Sequence, residues 1–223
     1  MNPYSHLAIA AQLEAEIQPV DVSDYYWGAV APDVRYAAGT RRAQTHISPE
    51  RVLSFFTKYP QLQSFTQGYL VHILTDLLKF RALLEQRILL WPLWLIFSGR
   101  VSTILLETYY VEKMPRRFDI SGAPNPILRE LGIPDEHAYA FAETLRPFVA
   151  DPSPRTALTF LRVLRPSSRR VALYARLVNM AEQYPALKSF VFHLSQMDAL
   201  NRQMLAALRN DTMLRQAILT HSG

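Results

Sequence analysis

The sequence predicts an all-α protein, a multi-helix bundle, on three observations. Apolar residues recur at helical spacing along most of the 223 residues. No stretch of useful length alternates apolar and polar side chains, as a half-buried strand would. Four successive segments in the second half each begin near a proline, which the first turn of a helix tolerates because its N–H groups lack intrahelical partners. Neither an internal repeat nor a low-complexity tract interrupts this pattern.

The elements follow in chain order. Residues 5–17 read as an amphipathic helix. Residues 18–48 read as a loop, because they hold Gly28, Pro32 and Gly39. In SPERVLSFFTKY, Ser48 is an N-cap and Pro49 takes the first helical position. Pro60 opens a long helix over 61–90. Its apolar residues Phe65, Leu70, Ile73, Leu74 and Leu77 wrap around more than one face, as in a helix at the middle of a bundle. VSTILLETYYVEKM is a further helix, stopped by Pro115, and residues 116–127 are a Gly/Pro-rich connection. PDEHAYAFAETLRPF, PRTALTFLRVL, PSSRRVALYARLVNMAEQY and PALKSFVFHLSQMDALNRQMLAAL are the four proline-led helices, and a short last helix covers 211–220. Residues 1–115 form a helical core that carries the chemistry. Residues 116–223 are a C-terminal helical part, either packed on the same domain or set apart as a lobe.

Composition narrows the chemistry. The chain is 49% hydrophobic and 19% charged, as a globular protein should be. Cysteine is absent, so disulfides and thiolate metal sites are excluded, and any metal must be held by His, Asp, Glu, backbone or water. MNPYSHLAIAAQLEAEI lacks a basic n-region, and Gln12, Glu14 and Glu16 break its apolar run, which predicts a cytoplasmic protein without a secretory signal. The most apolar window, ILLWPLWLIF at 88–97, is too short to span a bilayer and holds Pro92. It reads as a buried segment or as an interfacial lip with Trp91 and Trp94, making peripheral membrane contact. The net charge of +5 is carried by the last third, where Arg162, Arg165, Arg169, Arg170 and Arg176 lie close together. Such a cluster is a solvated helix face or a surface for phosphates of lipid or nucleic acid. No nucleic-acid motif accompanies it, so nucleic acid is not the favoured partner.

One stretch raises a chemical question. GYLVHILTD, residues 68–76, carries His72 and Asp76 one helical turn apart inside an apolar run. Positions i and i+4 share a face, about 5–6 Å apart at Cβ. Such a pair either hydrogen-bonds internally or shares a cation with partners from elsewhere. His6 on the first helix, Asp33 after Pro32 and His46 in AQTHI are the other residues of ligand type upstream. Burying Asp33 and Asp76 together without a cation would cost several kcal/mol or force one to protonate, and a divalent ion relieves that repulsion.

Taken in order, His6, GAVAPD (28–33), TH (45–46) and GYLVHILTD (68–76) resemble the zinc-dependent phospholipase C family, which shares its fold with the single-strand-specific P1-type nucleases. The resemblance covers about residues 4–80, with a weaker echo at LLETYY. It implies an α-helical bundle of the phospholipase C/P1 nuclease type. It also implies a first ion at Asp33, His46, His72 and Asp76, and a second that shares Asp76 and takes His6. A third ion would need two His and a Glu. Glu107 stands at the Glu position, but Thr103 lies four residues before it in place of a His, and no His falls between His72 and His137. The carry-over is therefore a reduced site of one or two ions, with zinc as the expected metal and Tyr109 or Tyr110 as a supplement.

The implied activity is metal-dependent hydrolysis of a phosphoester, in which a metal-bound water with its pKa lowered toward about 7 attacks phosphorus. Asp33 is implied as ligand and as base. Arg41 or Arg42 is either surface arginine or a fork for phosphate. Phe55, Phe56, Tyr69, Trp91 and Trp94 are either core or the lining of an approach for an acyl chain, which would suit a phospholipid. His137, His193 and His221 read as uninvolved, with His137 exposed near a helix start. The rival from another class is a non-catalytic helical module stabilised by one ion. Within the enzymes, the rival is a P1-like nuclease for single strands. With seven glycines and no phosphate-cradling loop, a nucleotide-binding fold is not expected.

Overall fold

The computed structural model describes residues 3–85, 109–114, 116–164, 171–172, 175–176, 179, 183 and 194–219. Every regular element among them is helical, so the chain is all-α. Helix α1 is Pro3–Ile17 and α2 is Val22–Val30. A 3-10 turn, Ala31–Val34, leads into α3 (Arg35–Ala38) and α4 (Arg42–Thr45). Then come α5 (Pro49–Lys58) and, after a second 3-10 turn at Pro60–Leu62, the long α6 (Gln63–Glu85). Residues 109–113 are helical. The C-terminal part contributes α7 (Pro126–Glu130), α8 (Asp135–Ala150), α9 (Pro154–Leu164), α10 (Leu194–Arg209) and α11 (Thr212–Leu219).

The segment expected to be a loop, 18–48, is mostly helical. Asp21 caps α2 by accepting from the Asp24 N–H at 2.9 Å, and its own N–H donates to Ser64 Oγ at the start of α6. Tyr25, Tyr26 and Trp27 are buried, so burial rather than propensity holds this helix. The Tyr25 hydroxyl donates to the Ala10 carbonyl of α1, and Trp27 Nε1 donates to the Ala123 carbonyl in the 116–125 connection. Gly28, which suggested a break, instead sits inside α2 where another backbone comes close. A Cβ built on Gly28 would lie 2.0 Å from the Phe65 carbonyl oxygen, and one on Gly68 would lie 1.9 Å from that of Tyr25. Two glycines, one on each helix, thus let α2 and α6 pack backbone against backbone, and among the described residues these two helices make the most extensive pairing.

Helix α1 also departs from expectation. Residues 3–10 are buried on all sides, so its first two turns are enclosed rather than amphipathic. The Ser48 cap on α5 is as expected, with Ser48 Oγ accepting from the Arg51 N–H and Pro49 in the first turn. Helix α7 begins at Pro126, inside the stretch expected to be connection. One hydrophobic cluster runs through both halves of the chain, from Tyr4, Trp27 and Phe65 to Phe141, Phe148, Met204 and Leu208. Helix α10 packs on α6, and Asn201 Nδ2 donates to Gln12 Oε1 of α1 at 2.9 Å. Trp91, Trp94, Arg165, Arg169 and Arg170 lie outside the described residues.

Candidate metal centre

Four separate elements each deliver a ligand-type side chain to one place. Helix α1 carries His6, and its enclosure leaves that imidazole fully buried. The 3-10 turn after α2 carries Asp33, behind Pro32. His46 is the C-cap of α4, where the backbone leaves the helix (φ −93, ψ 68). Helix α6 carries His72 and Asp76 one turn apart. The hydroxyl of buried Tyr69, also on α6, donates to the Thr45 carbonyl and so ties the end of α4 beside His72. Tyr69, Phe55 and Phe56 are buried in the core.

The distances are short and mutually consistent. His46 Nε2 lies 3.3 Å from His72 Nε2 and 3.3 Å from Asp76 Oδ2. His72 Nε2 is 4.0 Å from Asp76 Oδ2, His46 Nε2 is 3.9 Å from Asp33 Oδ1, and His6 Nε2 is 3.6 Å from Asp76 Oδ1. Two sets, His6–Asp33–His72 and His46–His72–Asp76, each have ligand atoms within 4.8 Å of one another. Around a tetrahedral ion with bonds near 2.1 Å, ligand atoms stand about 3.4 Å apart. The observed separations bracket that value, and those from 3.6 Å up are too long for hydrogen bonds. Asp76 faces His46 and His72 with Oδ2 and His6 with Oδ1.

The internal His72–Asp76 hydrogen bond weighed from sequence is not what forms. His72 Nδ1 lies 2.8 Å from the Ala29 carbonyl oxygen. A carbonyl only accepts, so Nδ1 carries the proton and Nε2 turns its lone pair to the centre. A backbone carbonyl on the outer nitrogen of a ligating imidazole fixes tautomer and orientation. Burial pushes the His72 pKa down to about 4, although Asp76 and Asp33 pull it upward. The ring is therefore neutral at pH 7, the form that binds cations. Burial also pushes the Asp76 carboxyl up. The hydrogen bond from His46 and the attraction of the His6 and His72 imidazoles outweigh that and hold it far below the usual carboxylate range. With His72 neutral the direction stands, because the Arg42 guanidinium donates to Asp76 Oδ2.

Asp33 supplies the clearest sign that a cation fits. Both of its carboxylate oxygens are buried and have no hydrogen-bond partner among the described residues. Its nearest charged neighbour, Arg35 Nε, is 3.8 Å away. A buried carboxylate left so costs several kcal/mol, which a bound cation offsets. Three imidazoles and two carboxylates form a donor set that suits zinc and leaves no role for a thiolate-preferring metal.

Glu107 lies outside the described residues, as do His193 and His221. The Tyr109 hydroxyl donates to Asp198 Oδ1 and that of Tyr110 to Asn201 Oδ1, so both point to α10 and neither supplements the centre. His137, expected to be exposed, is half-buried in the first turn of α8. Sequence reading missed the Ala29 carbonyl, which no side-chain motif announces, and the close approach at Gly28 and Gly68. The recurrence of glycine at the head of both GAVAPD and GYLVHILTD was the available signal for the latter. No helix of the described residues is long and apolar enough to cross a membrane. Compared with protein families, with curated proteins and with solved structures, the chain matches none.

Proposed function

We propose that the protein is a metal-dependent phosphoester hydrolase, similar to zinc-dependent phospholipase C and built on the same type of helical bundle. The observation that carries this reading is the convergence of His6, Asp33, His46, His72 and Asp76 from four elements into two sets that share His72, with both Asp33 carboxylate oxygens buried and without a hydrogen bond among the described residues. His46, His72, Asp33 and Asp76 would hold one ion, and His6 with the other oxygen of Asp76 would hold a second. When bound, such ions supply Lewis acidity toward phosphoryl oxygens and a nucleophile at neutral pH. The protein's own groups do the rest. The Ala29 carbonyl keeps His72 in its ligating tautomer. Asp33 has a second oxygen in reserve to orient the attacking water and take its proton.

Elemental analysis of protein purified without a His tag is the first test, and one or two equivalents of zinc are expected. Turnover of generic phosphomonoesters and phosphodiesters should then vanish with a chelator and return with zinc. Protein that carries no divalent ion and takes none up ends this reading. Phospholipid and single-stranded nucleic acid are the substrates to compare next, and steep loss of activity with salt would favour the latter.

A second reading has its own support. His6, Asp33 and His72 have no exposed side-chain surface, and Asp76 has only 10%. So enclosed a centre suits an ion that stabilises a non-catalytic helical module. That protein would bind zinc and melt on its removal without hydrolysing any phosphoester.

A further inference from the structure

The clustered side chains do not face solvent equally. His6, Asp33 and His72 are closed off, whereas His46 has 6% and Asp76 10% of its side chain exposed. The centre therefore opens beside those two residues. Arg42 stands there, its guanidinium donating to Asp76 Oδ2 while half of its side chain lies in solvent. Arg42 opens α4 and His46 caps its end, with the His46 N–H donating to the Arg42 carbonyl at 2.8 Å. The same helical turn thus brings an imidazole and a cation to one carboxylate.

The charges point to an anion. One divalent ion cancels the charges of Asp33 and Asp76, and Arg35 beside Asp33 and Arg42 beside Asp76 then leave the site with an excess of positive charge. An ion on Asp76 also repels the guanidinium and weakens its hold on that carboxylate. A half-exposed arginine has room to swing away, and its planar fork matches two non-bridging oxygens of a phosphoryl group.

We propose that Arg42 is an anion-binding residue of this centre: it leaves Asp76 when an ion is bound and grips the phosphoryl group of the substrate at the mouth. This rests on the metal-dependent reading above and narrows the ligand to phosphoesters with at least two free phosphoryl oxygens. It also separates Arg42 from Arg41, which the sequence alone leaves equivalent.

The test is calorimetric titration of inorganic phosphate into the zinc-loaded full chain, with zinc content measured for each variant. R42A should keep its zinc and bind phosphate at least ten-fold more weakly, and R42K, with the charge but not the fork, should recover part of the loss. Unchanged phosphate affinity in zinc-loaded R42A overturns the assignment. So does loss of zinc from R42A and R42K alike, which would make the arginine a support of the ion site. Wild-type protein that takes up no zinc defeats the metal reading itself, and the zinc measurement tells that failure apart from the others.

Discussion

The imidazole rings of His6 and His72 stack face to face, with centroids 3.6 Å apart and planes 15° from parallel, and both are fully buried. Two unit charges at that spacing would repel by about 4–5 kcal/mol at an effective dielectric constant near 20. Protonating both rings would therefore work against the stack, and so should acid.

The sign of that effect follows from His72, whose pKa falls from 6.5 to about 4 on folding because burial disfavours the charged ring. The unfolded chain binds the proton first. Its contribution to stability is intact above about pH 6.5 and is lost as pH falls toward 4, on the order of 3 kcal/mol in all. Asp76, whose carboxyl is depressed, acts in the same direction at lower pH. The melting temperature of chelator-treated protein should begin to fall below pH 6.5. A flat profile from pH 7 to 4.5 would contradict the burial of a neutral His72.

Substituting Gly68 by Ala should be costly. The new Cβ would meet the Tyr25 carbonyl at 1.9 Å, and backbone cannot give way as a flexible side chain can. A loss of about 2–3 kcal/mol is expected from overpacking. Because α2 carries Ala29 and leads to Asp33, zinc content should fall with stability. Gly39→Ala is the control. Nothing lies within 4 Å there, so only its positive φ (+65) matters, a cost of about 1–2 kcal/mol with zinc retained. Thermal melts and elemental analysis of both variants decide the matter.

Asp33→Asn should have opposite effects with and without metal. Removing a buried charge that lacks a hydrogen-bond partner should stabilise the chelator-treated protein by about 1–3 kcal/mol. The same change should weaken zinc binding at least ten-fold, so added zinc would no longer raise the melting temperature as it does in the wild type. Melts with chelator and with zinc give both values, and a variant less stable in chelator would mean that Asp33 serves the fold.

His72→Ala separates the catalytic from the structural ion. A catalytic ion predicts a folded variant without turnover, its stability reduced only by the cavity, about 2–4 kcal/mol. A structural ion predicts a larger fall, the effect of chelator on the wild type plus the cavity cost, with no phosphoesterase activity in either protein. Circular dichroism melts and a phosphoester assay on the same preparations read both.

Several of these features are legible in the residues alone. Proline and serine at Ser48–Pro49 mark the start of α5 because capping is local chemistry. The helical class follows from periodicity. His72 and Asp76 share a face because a helix repeats every 3.6 residues. Residues 18–48 were not legible in the same way. Gly28 and Pro32 carry the same local signal whether the chain turns or a second helix presses close, and the partner that decides, Gly68, lies 40 residues on.

The sequence by itself determined the helical class, the absence of thiolate chemistry and the residue types available to hold a cation. Only the tertiary structure decided that five of them meet, that Ala29 sets the tautomer of His72, and that Arg42 rather than Arg41 stands on Asp76. The reason is physical. Propensity, capping and periodicity act over a few residues, whereas the meeting of α1, α2, α4 and α6 depends on buried aromatics and a glycine-to-glycine approach between segments far apart in the chain.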